Sequence, residues 1–316
     1  MAKSKMQPAE LSYNFILPTS GSSVISYVDL AQCASAVNRR LYAQGKNYYV
    51  SRVVMISSAS ASQAILSTLP DNWVTANAWV KSKALWTSMQ NRVLKDNPSI
   101  AGKWRDYKVF FDLPHQQGGT ASSGPTLNLI PIDLVGTAVR TGEWNMSTLV
   151  LPQHDVDPTT GVVLAADEFE VHMMGDNNGG PLPAALVSGG IIKMYQDTRA
   201  RQNQAPLVPG DMAESWGTQL TDSGSQDPEL ADLIDAENDL PPYDNDQYVG
   251  GDGNFIAGNP QAALSTTTTL LVDKERGFKV PLGLIKIVSD GSAGTQLIIY
   301  LAPGDHKGLA CTEMRQ

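Results

Sequence analysis

Four histidines, two cysteines and scattered carboxylates are the side chains of this chain best able to hold a metal or act on a substrate. Their spacing argues against both uses. His115, His154, His172 and His306 never fall two or four residues apart, so no single strand or helix would offer two imidazoles to one zinc ion. Cys33 and Cys311 stand near opposite ends of the chain without a partner at metal-ligand spacing, and ordinary reduced thiols are expected. The sequence has no G-x-S-x-G elbow, no phosphate-binding P-loop and no G-x-G-x-x-G. The glycine pairs at 118–119, 179–180 and 250–251 lie among Asn, Gln and Asp, as turns do. The reading is of a non-enzyme with no catalytic residues and no cofactor.

Two acidic strings offer oxygen ligands. HDVDP places Asp155 and Asp157 at alternate positions, and DNDQYVGGDGN brings Asp244 and Asp246 together with Asp252. These are weak calcium candidates, because Tyr248 and Val249 occupy the fifth and sixth positions of the second string, where a calcium-binding hand needs an oxygen and a glycine. Solvated turns without metal are the expectation. The cations are the other chemical resource. Residues 1–110 hold 13 Lys and Arg against 5 Asp and Glu, whereas residues 201–260 hold 12 acids against the single Arg201. Such asymmetry implies two faces that meet different surroundings. Lys3, Lys5, Arg39, Arg40 and Arg52 are the candidates for facing phosphate, and Lys103, Arg105 and Lys108 form a further basic run.

The elements that must carry these groups are mostly strands. Strands are expected at 10–18, 47–57, 107–114, 126–134, 146–152, 161–176, 264–272, 277–289 and 295–303. Phe169, Val171 and Met173 share one face by alternation, and DGSAG at 290–294 suggests a hairpin between the last two strands. Asp29 is placed to cap a short helix through LAQCASAVNRRL. The clearest helix is 75–95, where Trp79, Trp86 and Val93 recur every seven residues with Ala76 and Met89 on the same stripe, predicting a buried face. Asn97-Pro98 predicts a second helix to about Tyr107, and residues 183–200 a third, weakened by Gly189 and Gly190. Residues 201–262 form an acidic, Gly- and Pro-rich excursion with one helix starting at Asp227, of the kind that makes contacts.

The sum is mostly β: a jelly-roll β-sandwich spanning 1–316 as a single domain, with a helical insertion at about 75–107 and an acidic loop excursion at about 201–262. Parallel α/β folds are disfavoured, since strands and helices do not alternate regularly. No run of 18 apolar residues exists to span a membrane, and MAKSKMQPAELSYNF lacks a signal-peptide core. Only 17% of residues are charged, which suits a chain that hides surface against copies of itself.

Four strings also resemble one family: YVDLAQCASAVNRRLYAQGKNYYV (27–50), LPDNWVTANAWVKSKALW (69–86), ELADLIDAENDLPPYD (229–244) and LAPGDHKGLACTEM (301–314). They look like the capsid proteins of small circular, Rep-encoding single-stranded DNA viruses known from marine and environmental surveys. That resemblance implies a jelly-roll coat protein in the virion, self-assembling as a homo-oligomer into an icosahedral shell around single-stranded DNA. The chain departs from the usual pattern in lacking an arginine-rich N-terminal arm, so contact with the genome is expected to be weak. Two other readings fit the residues: a double jelly-roll coat protein of a lipid-containing phage, and a carbohydrate-binding or hydrolytic β-sandwich protein.

Overall fold

The computed structural model describes residues 8–20, 22–58, 61–118, 128–133, 135–140, 142–151, 167–179, 186–200, 248–251 and 258–314. The chain divides into two compact units. The first is Met1–Asp71, Gln117–Asn145 and Ala257–Gln316; the second is Asn72–Gln116 and Met146–Ile256.

The chain opens in the first unit with β1 (Ser12–Ile16), β2 (Val24–Asp29), α1 (Leu30–Asn38), β3 (Lys46–Ile56) and β4 (Ser62–Thr68). It passes to the second unit with α2 (Trp73–Asp96), β5 (Phe110–Asp112), α3 (Leu113–Gln117), β6 (Thr148–Leu151), β7 (Asp167–Met174), β8 (Asn178–Gly179), β9 (Leu186–Gly190) and α4 (Ile191–Ala200). It then returns for β10 (Asn259–Thr266), β11 (Val272–Arg276), β12 (Lys279–Val280), β13 (Leu284–Ser289) and β14 (Gln296–Leu301).

The first unit is an antiparallel two-sheet sandwich. One sheet runs β1-β14-β3-β11 and the other β10-β4-β13-β2. Of its eight long strands, the first pairs with the eighth, the second with the seventh, the third with the sixth and the fourth with the fifth. Successive pairs alternate between the sheets, like one long hairpin rolled over on itself. Period-two alternation supplies the core between the sheets: Phe15, Met55 and Leu297 from one, Leu66, Ile285 and Ile287 from the other, all fully buried. The mostly-β reading holds.

Several local readings need correction. The run at 264–272 is two strands rather than one. Thr267 accepts the Leu270 N–H at 2.9 Å through its hydroxyl and breaks the β-branched run into a turn, after which β11 begins. The turn at 290–294 joins no hairpin, because β13 and β14 belong to different sheets. There Asp290 accepts the Gln63 and Ser292 N–H groups at 2.9 and 3.1 Å, fixing the chain where it crosses over. The stretch at 126–134 makes only isolated bridges in its described part, Asn128 with Tyr27 and Ile132 with Asn14 and Ala138.

In the second unit β7 pairs in parallel with β5 and β9, an arrangement the sequence had disfavoured. Both faces of β7 are buried at Val171, His172 and Met173, as a parallel-paired central strand requires. Helix α2 is capped by Asn72, whose Oδ1 accepts the Thr75 N–H at 2.8 Å. The second helix predicted to about Tyr107 is only a short 3-10 turn, Pro98–Gly102. The chain then extends and drives Tyr107 into the core, where its hydroxyl meets Ser82. Of the stretch 183–200, the described part from Leu186 on is β9 followed by α4, with Gly190 at the junction. A Cβ there would lie 2.1 Å from the Gly175 carbonyl oxygen. Trp73, Tyr195 and Tyr248 form an aromatic cluster, with ring centroids 5.7 to 6.5 Å apart.

The α2 stripe fades along the helix: Trp79 is 4% exposed, Trp86 is half-buried 5.7 Å from the Tyr107 ring, and Val93 is 44% exposed. Trp79→Ala should therefore cost about 3–5 kcal/mol, as large-to-small core changes do, and Trp86→Ala roughly half of that. Denaturant unfolding of the two variants checks the gradient, and equal losses would contradict it.

Candidate functional site

Three sets of polar groups stand out. The first is Asp29, fully buried where β2 runs into α1. Its Oδ1 accepts the Ala31 and Gln32 N–H groups at 2.9 and 3.1 Å, which is the helix cap expected from the sequence. Its Oδ2 accepts from Gln44 Nε2 and Trp144 Nε1, both at 3.0 Å. Four donors favour the carboxylate, but burial outweighs them and pushes the carboxyl up to about 6. The group ties α1, the approach to β3 and the segment around Trp144 to one point. It has no opening toward a substrate.

The second set is in the second unit. His172 Nε2 donates to the Asp176 carbonyl at 3.0 Å, leaving Nδ1 to accept from the Ser188 hydroxyl at 2.6 Å. A serine hydrogen-bonded to an imidazole is how nucleophilic sites begin. Here both side chains are 0% exposed and burial lowers the imidazole to about 4, so the pair joins β7 to β9 instead. Beside it Asp112 Oδ1 accepts the His115 N–H at 3.0 Å, closing the turn between β5 and α3. Among the described residues no group of three or more His, Cys, Asp or Glu could hold a metal ion.

The third set is basic and lies on the outer face of the sandwich. Arg52 of β3 is exposed, with its guanidinium 4.2 Å from the centre of the Tyr300 ring. Directly opposite Arg52 in register are Tyr300 on β14 and Arg276 on β11, and Lys274 lies opposite Val54 one row along. The alternation of Asp273, Lys274, Glu275 and Arg276 sorts the strand's charges, cations to the outer face and carboxylates to the other. No Asp or Glu occupies the outward rows of β1, β14, β3 and β11.

A β-bulge at Ser51 shifts the register beside Arg52, and Ser51 Oγ donates to the Tyr300 carbonyl at 3.0 Å. Gly277 follows Arg276 where a Cβ would lie 2.1 Å from the Val50 oxygen, so only glycine lets β11 close against the bulge.

The other phosphate-facing candidates have different fates. Arg39, at the left-handed end of α1, donates to the Arg140 carbonyl at 3.0 Å, and Arg40 donates to the Pro8 and Lys307 carbonyls at 3.0 and 3.3 Å. They pin chain segments together at the end of a helix, while Arg52 sits on the sheet. Lys3, Lys5, Asp155, Asp157, Asp244 and Asp246 lie outside the described residues, as does the helix expected at Asp227. Lys274, Arg276 and Tyr300 went unrecognised in the sequence, although the D-K-E-R alternation was a signal for the first two.

Comparison with known protein families, curated proteins and solved structures finds no match to this chain.

Asp29 and His172 should give opposite pH responses. For Asp29 the folded value of about 6 exceeds the unfolded one, so its contribution is fully present below about pH 4 and is lost as pH rises through about 6. The size is about 3 kcal/mol. For His172 the folded value of about 4 lies below the unfolded one, so its contribution is present above about pH 6.5 and is lost as pH falls toward 4. Denaturation measured across pH 4–7 should show the first slope removed by Asp29→Asn and the second by His172→Gln. Unchanged slopes in both variants would contradict the assignments.

Proposed function

We propose that this chain is a coat-protein protomer, a jelly-roll sandwich that assembles into a closed icosahedral virion shell around a small single-stranded DNA genome. The observation that carries the reading is the nested pairing of strands one with eight, two with seven, three with six and four with five, alternating between two sheets. Eight antiparallel strands in two packed sheets built from Greek keys are the jelly-roll arrangement, and capsid domains are among its main users. The second unit, inserted between the fourth and fifth strands, suits a shell protein in which the sandwich forms the wall and a long connection supplies contacts.

The same arrangement serves lectins, which keeps a carbohydrate-binding sandwich as the second reading. A double jelly-roll coat fits less well, because the sheet of the second unit contains the parallel pairs β5–β7 and β7–β9. Among the described residues no helix is long and apolar enough to cross a membrane.

Purified full-length protein should sediment as large particles and appear as closed shells in negative stain, with about 2,000 Å² or more buried per copy, as obligate assemblies require. A chain that stays monomeric at high concentration across pH and salt, and that binds glycans, would replace this reading with the second.

A further inference from the structure

We infer that the outer face of the β1-β14-β3-β11 sheet, centred on Arg52, Lys274, Arg276 and Tyr300, binds the phosphate backbone of single-stranded DNA. On the coat-protein reading, this is the face that the shell turns toward its genome.

Arg52 and Arg276 stand directly opposite each other on neighbouring antiparallel strands, where Cβ atoms are only about 5 Å apart and like charges repel. Lys274 adds a third cation on the same strand and face. No carboxylate of β3 or β11 relieves them, since β11 sends Asp273 and Glu275 to the opposite side, and the Glu10 carboxylate before β1 is taken up by the Ser12 hydroxyl at 2.6 Å. The fold nevertheless builds this grouping with care, through the Ser51 bulge beside Arg52 and the glycine at 277 that lets β11 close against it. A bound polyanion would turn the repulsion into attraction.

The shape favours a single strand. Guanidinium groups meet phosphate through paired N–H donors, and the three cations occupy two adjacent rows of the sheet, Arg52 with Arg276 in one and Lys274 in the next, enough for successive phosphates of a linear polyanion. Tyr300 holds the Arg52 guanidinium 4.2 Å over its ring, and an unpaired base can stack on the guanidinium plane so presented. A duplex, with its bases turned inward, gains nothing from that plane. A merely protective role, edge charges that keep β11 from pairing with another chain, would predict no affinity for DNA.

The test is anisotropy of labelled oligothymidylate with the full chain, at several salt concentrations, and with a duplex of equal length. The wild type should bind the single strand more tightly than the duplex, with affinity falling steeply in salt. Lys274→Gln with Arg276→Gln should weaken single-strand binding about tenfold at low salt and flatten the log–log salt slope by about 1.4, as loss of two phosphate contacts requires. Tyr300→Leu should remove the preference for the single strand. Arg92→Gln with Lys95→Gln, an equal charge change at exposed positions of the second unit, should leave binding unchanged.

No binding by the wild type, or equal losses in both double variants, would overturn the inference. Negative stain of the same samples separates the two claims. Particles with DNA binding untouched by the β11 variant sink the face and leave the coat reading standing. Binding that depends on β11 in a chain that never forms particles sinks the coat reading and leaves the face.

Discussion

The sandwich depends on one constraint: its last two long strands must lie inside the sheets, not at their edges. β14 sits between β1 and β3, and β13 between β2 and β4. Neither sheet is continuous until the end of the chain arrives, after an excursion that builds a second compact unit. Loop closure alone does not forbid this, since each doubling of a flexible loop costs only about 0.6 kcal/mol. Non-local pairing slows folding, however, and the first four strands stay open-edged until β13 and β14 arrive. The inward row of Phe15, Leu297 and Met55 across β1, β14 and β3 is the apolar reward that closes the first sheet.

Asp29 does at one residue what the central strands do across the unit. Its two oxygens accept from a helix start, from Gln44 just before β3 and from Trp144 in the segment that returns from the second unit. An unpaired carboxylate at that depth would be costly. Four donors reduce the penalty without abolishing it, which is why burial still controls the titration. His172 illustrates the other outcome, a ring kept neutral by burial and fixed by Ser188 on one side and a carbonyl on the other. Both groups hold the framework, and the exposed chemistry of the described residues lies on the basic sheet face.

How much could be read in the sequence follows from how local each signal is. The Asp29 cap, the body of α2 and the alternation of Phe169, Val171 and Met173 need only neighbouring residues, and each was legible. The division of 264–272 was hidden because threonine serves strands and turns alike, and only the Thr267 hydroxyl bond decides which. The turn at 290–294 carries a hairpin's composition, and what makes it a crossover is the distant Gln63 N–H held by Asp290. Parallel pairing of β7 was invisible because it joins segments whose spacing carries no helix–strand rhythm. For the basic face, Arg52 was legible as a cation. Its meeting with Tyr300 and Arg276 is set by register between strands more than 200 residues apart in sequence.

On the proposed reading this sandwich, closed by its last strands, is the repeating wall of a shell. Electron cryomicroscopy of the purified, assembled protein tests it most directly. The expected map shows icosahedral symmetry, with each subunit contributing a two-sheet sandwich to the wall and β14 running between β1 and β3. A map in which the repeating contacts are made by some other fold, or a sample holding only isolated monomers, would contradict it.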